Sequence, residues 1–330
     1  MEVHQLRLLR ELAHLGSVSA VAAASGVSPS AVSQQLAALQ RGFRTSLTRK
    51  QGRSLVLTDA GLALVRAGDG VLDAVAAARA AVDDYESDER GVVRLSGFHS
   101  AGQAIFGSLI AELAASGGPE VRFTDEDVAQ DDFPALAARY DLVLAHRLDH
   151  SPPWPDDGVR VITLVHEPLD VALPASHRLA RASRLRPADL IDERWVSSRV
   201  GFSPDDVLRA VAASAERTID IVHRVNDWST VASIVSTGDA LGLLPRYTGS
   251  LAHVDGVVTR PLVGVGTTRS IDVLARPEIL RRRAVRAVVE SLRRVMDALA
   301  AGGAGVAGAG PGAGASADLG AEDDQDQRRG

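Results

Sequence analysis

The sequence predicts an α + α/β protein: a small helical unit, one long helix, then a larger α/β region in two lobes. Three observations carry this reading. Residues 1–40 hold apolar positions at helical spacing, residues 59–85 keep that spacing over a length no small domain needs, and from Gly91 β-rich runs alternate with amphipathic stretches. A chain of 330 residues, 45% of them hydrophobic, is long enough for more than one core.

Val3, Leu6, Leu9, Leu12, Ala13 and Leu15 give an amphipathic first helix that ends before Gly16, and Ser19 is the expected cap of the next. In the stretch Ala20 to Leu36, Ala22 and Ala23 are small enough for two helices to approach closely. Ser25-Gly26 supplies the turn between them. Ser28 can cap the second helix and Pro29 fits its first position, where no amide donor is needed. Val32, Leu36 and Leu39 make one face apolar. The opposite face offers Ser28, Ser30, Ser33, Gln34 and Arg41, groups that hydrogen-bond to bases and phosphates. This is a helix-turn-helix pattern, although the same residues also describe a helical pair that never meets DNA.

The following segment favours DNA. Arg41-Gly42-Phe43-Arg44 through Arg49-Lys50 is basic, and Gln51-Gly52 reads as a hairpin turn before the alternating run Ser54-Leu55-Val56-Leu57. A helix-turn-helix followed by a hairpin is a winged helix, with Arg49, Lys50 and Arg53 on the wing to meet phosphate or minor groove. The chain carries a net charge of −6, yet residues 1–58 hold seven Arg or Lys against Glu2 and Glu11. Charges beyond about 10 Å are screened at 0.1 M salt, so the local patch decides phosphate binding.

Thr58-Asp59 starts the long helix, which Leu62, Val65, Leu72, Val75 and Val82 continue to about Tyr85, a rod of roughly 40 Å. Its stripe needs a partner, either the same helix of a second subunit or the rest of its own chain. Gly68 and Gly70 inside it imply a bend or a close helix approach. The polar run 83–89 reads as a linker.

From Gly91, strands are expected at 92–97, 121–124, 141–145, 169–173, 195–198, 219–223, 241–245 and 270–274. Helices are expected at 100–115, 133–140, 204–215, 229–237 and 281–299. The alternation predicts a parallel sheet with helices on both faces, in two lobes, with a ligand cleft between them. Residues 301–330, Gly- and Ala-rich and then acidic, predict a disordered tail. The expected division is 1–58 winged helix, 59–90 linker helix, 91–298 α/β region and 301–330 tail. Within the α/β region, lobe 1 takes about 91–164 and 266–298, and lobe 2 about 165–265.

Several landmarks together resemble the LysR-type transcriptional regulators over residues 1 to about 298. They are Gly16-Ser17-Val18-Ser19, Val27 to Leu36, Leu55-x-Leu57-Thr58-Asp59-Ala60-Gly61, His166 to His177 and Ser236 to Pro245. The resemblance implies a periplasmic-binding-protein-like effector domain and sequence-specific binding of promoter or operator DNA. It also implies assembly as a homodimer or homotetramer, contact with RNA polymerase, and no cofactor or metal. Effector contacts would come from His99 and Ser100 after the first strand, from Ser197, Ser198 and Gly201 in the second lobe, and from Trp228 to Thr230, with His146 facing the same cleft. Each also has a plainer role: Ser100 and Thr230 as caps, Trp228 as core, His99 and His146 as solvated side chains. The chain departs from the family pattern in placing Ser28 directly before Pro29 and in the basic segment 40–49.

Other functions fit less well. The chain has no cysteine, which excludes thiolate chemistry, and it lacks Gly-x-Ser-x-Gly, Walker and His-Glu-x-x-His motifs that would mark an enzyme. The cluster Asp125, Glu126 and Asp127 reads as solvated loop charge. An exported solute-binding protein would need a signal sequence, whereas the first helix is charged and no run is long enough for a membrane, so the cytoplasm is expected. The remaining alternative is a cytoplasmic small-molecule-binding protein with only non-specific DNA affinity.

Overall fold

The structure, a computed structural model, describes residues 1–52, 54–86, 91–155, 158–249 and 254–306. At the N-terminus, α1 (Val3–Leu15), α2 (Val18–Ser25) and α3 (Pro29–Gln40) precede the hairpin β1 (Thr48–Gln51) and β2 (Ser54–Leu57), paired antiparallel with Thr48 opposite Leu57. Leu9, Leu12, Val21, Val32, Leu36, Leu39 and Leu47 form the core. Ser17, not Ser19, caps α2 by accepting from the Ala20 amide at 3.1 Å. Gly16 turns the chain out of α1 at φ 69°, which leaves Ser17 extended at the cap and places Ser19 already inside the helix. Ser28 caps α3 as expected, accepting from Ala31 N at 3.2 Å.

The basic segment after α3 is held by one side chain. Gln40 Nε2 donates to the Phe43 and Thr45 carbonyls at 3.2 and 3.0 Å, and its Oε1 accepts from Leu47 N at 2.7 Å. The Gln40 amide thereby does for this irregular loop what a strand partner would do for a ladder.

Helix α4 (Asp59–Glu86) follows, with Thr58 Oγ1 accepting from Gly61 N. A Cβ on Gly61 would lie 2.1 Å from the Leu47 carbonyl oxygen, so only glycine allows this contact between helix and hairpin. Gly68 gives the close approach expected of it, to Leu6 of α1. Part of the stripe thus packs on the chain's own first helix, while Leu62, Val71 and Val82 stay exposed.

The α/β region runs β3 (Val92–Gly97), α5 (His99–Ala101), a π-turn at Gly102–Phe106, α6 (Gly107–Ser116), β4 (Glu120–Asp125), α7 (Phe133–Leu136), β5 (Leu142–Leu148) and β6 (Arg160–Pro174). It continues through β7 (Arg194–Ser197), α8 (Ser203–Ser214), β8 (Asp220–Arg224), α9 (Trp228–Ser236), β9 (Gly242–Pro245), β10 (Val257–Arg260), β11 (Thr268–Ala275) and α10 (Arg283–Val306). The main sheet has the order β10-β6-β11-β5-β3-β4, with β9 also on β6. It is mixed, not parallel throughout. β3 is parallel to β4 and β5, but β11 is antiparallel to both β5 and β6, and β9 and β10 are antiparallel to β6. The cause is the crossing: β6 leaves lobe 1 and β11 returns to it, so they run in opposite directions. β6 is fifteen residues long, and only its second half is fully buried. The sequence therefore showed a strand at 169–173 alone. Separate cores lie on either side of the crossing, one around Leu95, Phe133, Leu144, Val273 and Val288 and one around Val171, Leu173, Trp195, Val207 and Leu243.

Two further expectations change. The helix expected at 133–140 stops at Leu136, and 137–140 form tight turns, with Arg139 N and Tyr140 N both bonding to the Leu136 carbonyl. Helix α10 runs on to Val306, so 301–306 are helical and not part of a disordered tail, while 307–330 lie outside the described residues. Alanines at 298, 300 and 301 extend the helix without a competing cap.

Buried charge joins the N-terminal unit to the α/β region. Arg10 Nη2 meets Glu278 at 2.6 Å and Nη1 meets Asp69 of α4 at 3.5 Å, while Arg276 Nη1 meets Glu11 at 3.2 Å. Arg10 has a side-chain exposure of 2%.

Candidate functional site

Two surfaces carry polar side chains without a packing role. On α3, Ser28, Ser30, Ser33 and Gln34 are exposed on the face opposite Val32, Leu36 and Leu39; Arg41, Arg49 and Lys50 lie beyond it. Ser28 and Ser30 hydroxyls lie 2.9 Å apart, so the cap also holds a neighbour on that face. Gln35, one residue on, is turned back to His4 and Gln5 of α1 at 2.8 and 3.3 Å. Arg53 lies outside the described residues. A helix with a polar, protruding face beside a basic hairpin matches the shape and charge of a duplex groove.

The second surface is a narrow cleft between the lobes, enclosing about 20 Å³. The chain leaves β3 at Gly97, and Phe98, His99 and Ser100 line the cleft as the next helix starts. His146 from β5 and Arg269 from β11 come from the sheet; Ser198, Phe202, Pro204, Asn226 and Trp228 come from lobe 2. Of the eight residues the resemblance implied, His99, Ser100, His146, Ser198 and Trp228 line the cleft. Ser197, Gly201 and Thr230 do not. Thr230 donates from N and Oγ1 to the Asp227 carboxylate at the start of α9, and the Gly201 carbonyl accepts from Gln130 N. Ser197 is buried with an unpartnered hydroxyl.

Arg269, Asp127, Phe98, Phe202, Pro204 and Asn226 were missed. Glu167, fully buried at the crossing of β6, explains Arg269. Its carboxylate accepts from Arg269 Nε and Nη2 at 3.0 and 2.7 Å, from Tyr247 N and Thr248 N at 2.7 and 2.6 Å, and from Thr248 Oγ1 at 3.0 Å. A buried carboxylate satisfied this fully holds both lobes' strands to one point. Arg269 also sits 5.3 Å over the Phe98 ring. One signal was present in the sequence, the acid in His166-Glu167-Pro168, but its partner lies 102 positions away.

His146 is buried, not solvated. Burial, and then the Arg269 charge, push its pKa well down, so it is neutral at pH 7 and its Nδ1 pairs with Ser203 Oγ at 3.2 Å. Ser100 is 2% exposed and its hydroxyl has no partner.

At the mouth, charge pairs cross between lobes. His99 Nδ1 meets Asp125 of its own lobe at 2.8 Å and Nε2 meets Asp227 of lobe 2 at 3.1 Å. The hydrogen bond to Asp125 raises the His99 pKa first, with both carboxylate charges adding to it. Burial works against the Asp227 anion, but hydrogen bonds from Ser229 and Thr230 hold its pKa at about 2. The acidic cluster is solvated at Asp125 and Asp127, as expected, and is also paired: Asp125 binds His99, Glu126 binds Tyr140 and Arg139, and Asp127 binds Arg199 and Asn226. Among the described residues no group of His, Asp and Glu could hold a metal ion, and no helix is long and apolar enough to cross a membrane.

Comparison with known proteins agrees with this geometry. Residues 3–62 match the family of bacterial regulatory helix-turn-helix proteins of the lysR type, and residues 86–297 match the LysR substrate binding domain. The HTH-type transcriptional regulator TtuA of Agrobacterium vitis is 25% identical over 273 residues, covering 81% of this chain and 87% of that protein. Hydrogen-peroxide-bound Corynebacterium glutamicum OxyR, in a cysteine-to-serine mutant form, shares the fold with a TM-score of 0.56 at 20% identity, covering 92% of this chain and 95% of the other. Full-length CbnR in complex with its target DNA gives 0.50 at 19% identity, covering 90% and 100%. An exposed helix face beside a basic hairpin, and a polar cleft between two α/β lobes, are the two halves of one kind of molecule: this chain belongs to the LysR family of DNA-binding transcriptional regulators with an effector-binding domain.

Proposed function

We propose that Ser30, Ser33 and Gln34 read base edges in the major groove, with Ser28 fixing the helix start, while Arg41, Arg49, Lys50 and Arg53 hold backbone or minor groove. The observation that supports this is the one-sided exposure of α3, whose other face is wholly occupied by core. Two such helices in an oligomer would reach successive major grooves about 34–36 Å apart. A small effector between the lobes, touching Ser100, His146 and Arg269, would alter lobe closure and so the spacing of the helices. Of the expected contacts, Ser197, Gly201 and Thr230 take no direct part in this reading. With no cysteine, the chain offers no thiol to oxidise. The reading places the protein with its DNA in the cytoplasm and gives it no catalytic role.

The test is a footprint and gel-shift titration over the DNA upstream of the coding region, at two salt concentrations. Protection of an interrupted palindrome on one face of the duplex supports the reading. Salt-sensitive binding with no preferred site refutes base reading by α3 and leaves a basic patch alone.

A further inference from the structure

The cleft has two electrically opposite ends. At its floor, the Nε–Nη2 edge of Arg269 is bound to Glu167, and Nη1 has no protein hydrogen bond among the described residues. The same cleft is lined by Ser100, whose hydroxyl is buried and unpartnered. Both groups can donate to an anionic ligand, and the Ser100 hydroxyl, buried and unpaired, costs free energy until a partner arrives. The mouth is different. Asp127 lines the cleft with Phe202, Asn226 and Trp228, so a carboxylate stands among two aromatic rings and an amide.

That acidic, aromatic corner already holds a cation. Arg199 Nη2 binds Asp127 Oδ2 at 2.8 Å, and its guanidinium carbon lies 5.2 Å over the Phe202 ring. Asn226 holds the pair from both sides, donating to Asp127 at 3.0 Å and accepting from Arg199 N at 2.9 Å. Carboxylate and ring face are the usual surroundings of an ammonium group. The Arg199 side chain is 60% exposed, so it is tethered at the rim and free to leave. A ligand with only a carboxylate would answer Arg269 and Ser100 and gain nothing at Asp127.

We propose that the effector is an α-amino acid or similar zwitterion, its carboxylate on Arg269 Nη1 and Ser100 Oγ and its ammonium replacing the Arg199 guanidinium on Asp127 and Phe202. The proposal rests on the reading of the cleft as the effector site. As it stands the cleft encloses about 20 Å³, room for about one water, so an amino acid enters only as the lobes part.

The experiment is calorimetric titration of the full-length protein, with Trp228 fluorescence as a second readout. The probes are the twenty protein amino acids and, for each, the matching carboxylic acid without the amino group. The expected result is binding of one or a few amino acids, with the deaminated acid at least 10-fold weaker, a charge-assisted hydrogen bond being worth about 10-fold or more. Two variants separate recognition from lobe closure. Asp127→Asn removes the ammonium's partner and weakens amino-acid binding at least 10-fold. Arg199→Gln removes the internal competitor and tightens it. If Arg199 and Asp127 served only to close the lobes, both variants would weaken binding, which overturns the proposal. Deaminated acids binding as well as their amino acids overturn it too, while leaving the cleft as the effector site. Binding of no probe from either set refutes the amino-acid class; loss of operator binding in the footprint would refute the regulator's site reading separately.

Discussion

Arg10→Met tests how the DNA-binding unit is docked on its own effector domain. Methionine keeps most of the side-chain volume and removes the charge. In the structure Arg10 is 2% exposed and pairs with Glu278 at 2.6 Å and with Asp69 at 3.5 Å. The surroundings are desolvated: burial raises the pKa of Glu11 and of Asp69 and lowers that of Arg276. Removing one member of a buried pair costs about 3–5 kcal/mol. Here Glu278 keeps Arg276 at 3.9 Å and the Asp69 side chain is 26% exposed, so the lower end, about 3 kcal/mol, applies. The absence of native cysteine allows Thr45→Cys and Ala115→Cys to carry two dyes, diluted into unlabelled protein so that only distances within one subunit are read. For a small unit whose urea dependence is about 1 kcal/mol/M, the midpoint for loss of the docked distance falls by roughly 3 M. Glu278→Gln added to Arg10→Met costs less than the sum of the two singles, since no buried charge is then left unpaired. A midpoint shift below about 0.5 M would refute the reasoning and make the network a contact of no energetic weight.

Gln34→Ala relaxes preference at one base position by about 1–3 kcal/mol if its contact is bidentate, read by binding to a set of single-base operator variants; unchanged specificity removes Gln34 from the reading set. Lys50→Ala weakens all sequences alike and flattens the salt slope by about one unit, and a slope equal to that of the parent shows that the wing does not hold phosphate there. The His99–Asp227 link is fully present below pH 6.5 and is lost as pH rises through the raised His99 pKa, because only the imidazolium pairs with both carboxylates. Small-angle scattering of the effector lobes should therefore show opening on the alkaline side in the parent and no pH dependence over that window in His99→Gln.

Local patterns made half of this molecule legible. Helix spacing, the caps Ser28 and Thr58 and the turn at Gly26 each act within four residues, so the sequence displays them directly. His99 and Ser100 were readable for the same reason, as the first residues after a strand. The crossing of the lobes was not. β6 is half exposed where it runs through lobe 1 and fully buried where it enters lobe 2, so no single period marks it as one strand. Arg269 could be found only through Glu167, and Asp127 only through Arg199, 72 positions away. A charge in a loop and a charge closing a cleft look alike until the fold brings their partners.

The same strand that hides Arg269 gives it a mechanical role. β11 carries Arg269 at one end, in the cleft and at the Glu167 crossing, and runs to Ala275. The next residue, Arg276, pairs with Glu11 of the DNA-binding unit, and Glu278 pairs with Arg10. Seven residues of extended chain span about 23 Å, and every one from Ser270 to Leu274 is buried between neighbours on both sides. A ligand that shifts Arg269 therefore pushes on a stiff element whose far end is held to α1. Arg10→Met breaks that far end while leaving the cleft intact, so it should preserve ligand affinity and reduce the ligand's effect on operator binding. Linkage requires the two changes to match: whatever factor the ligand loses in altering DNA affinity, DNA must lose in altering ligand affinity. An Arg10→Met protein with unchanged coupling would show that the signal leaves the cleft by another route, through contacts between subunits instead of along β11.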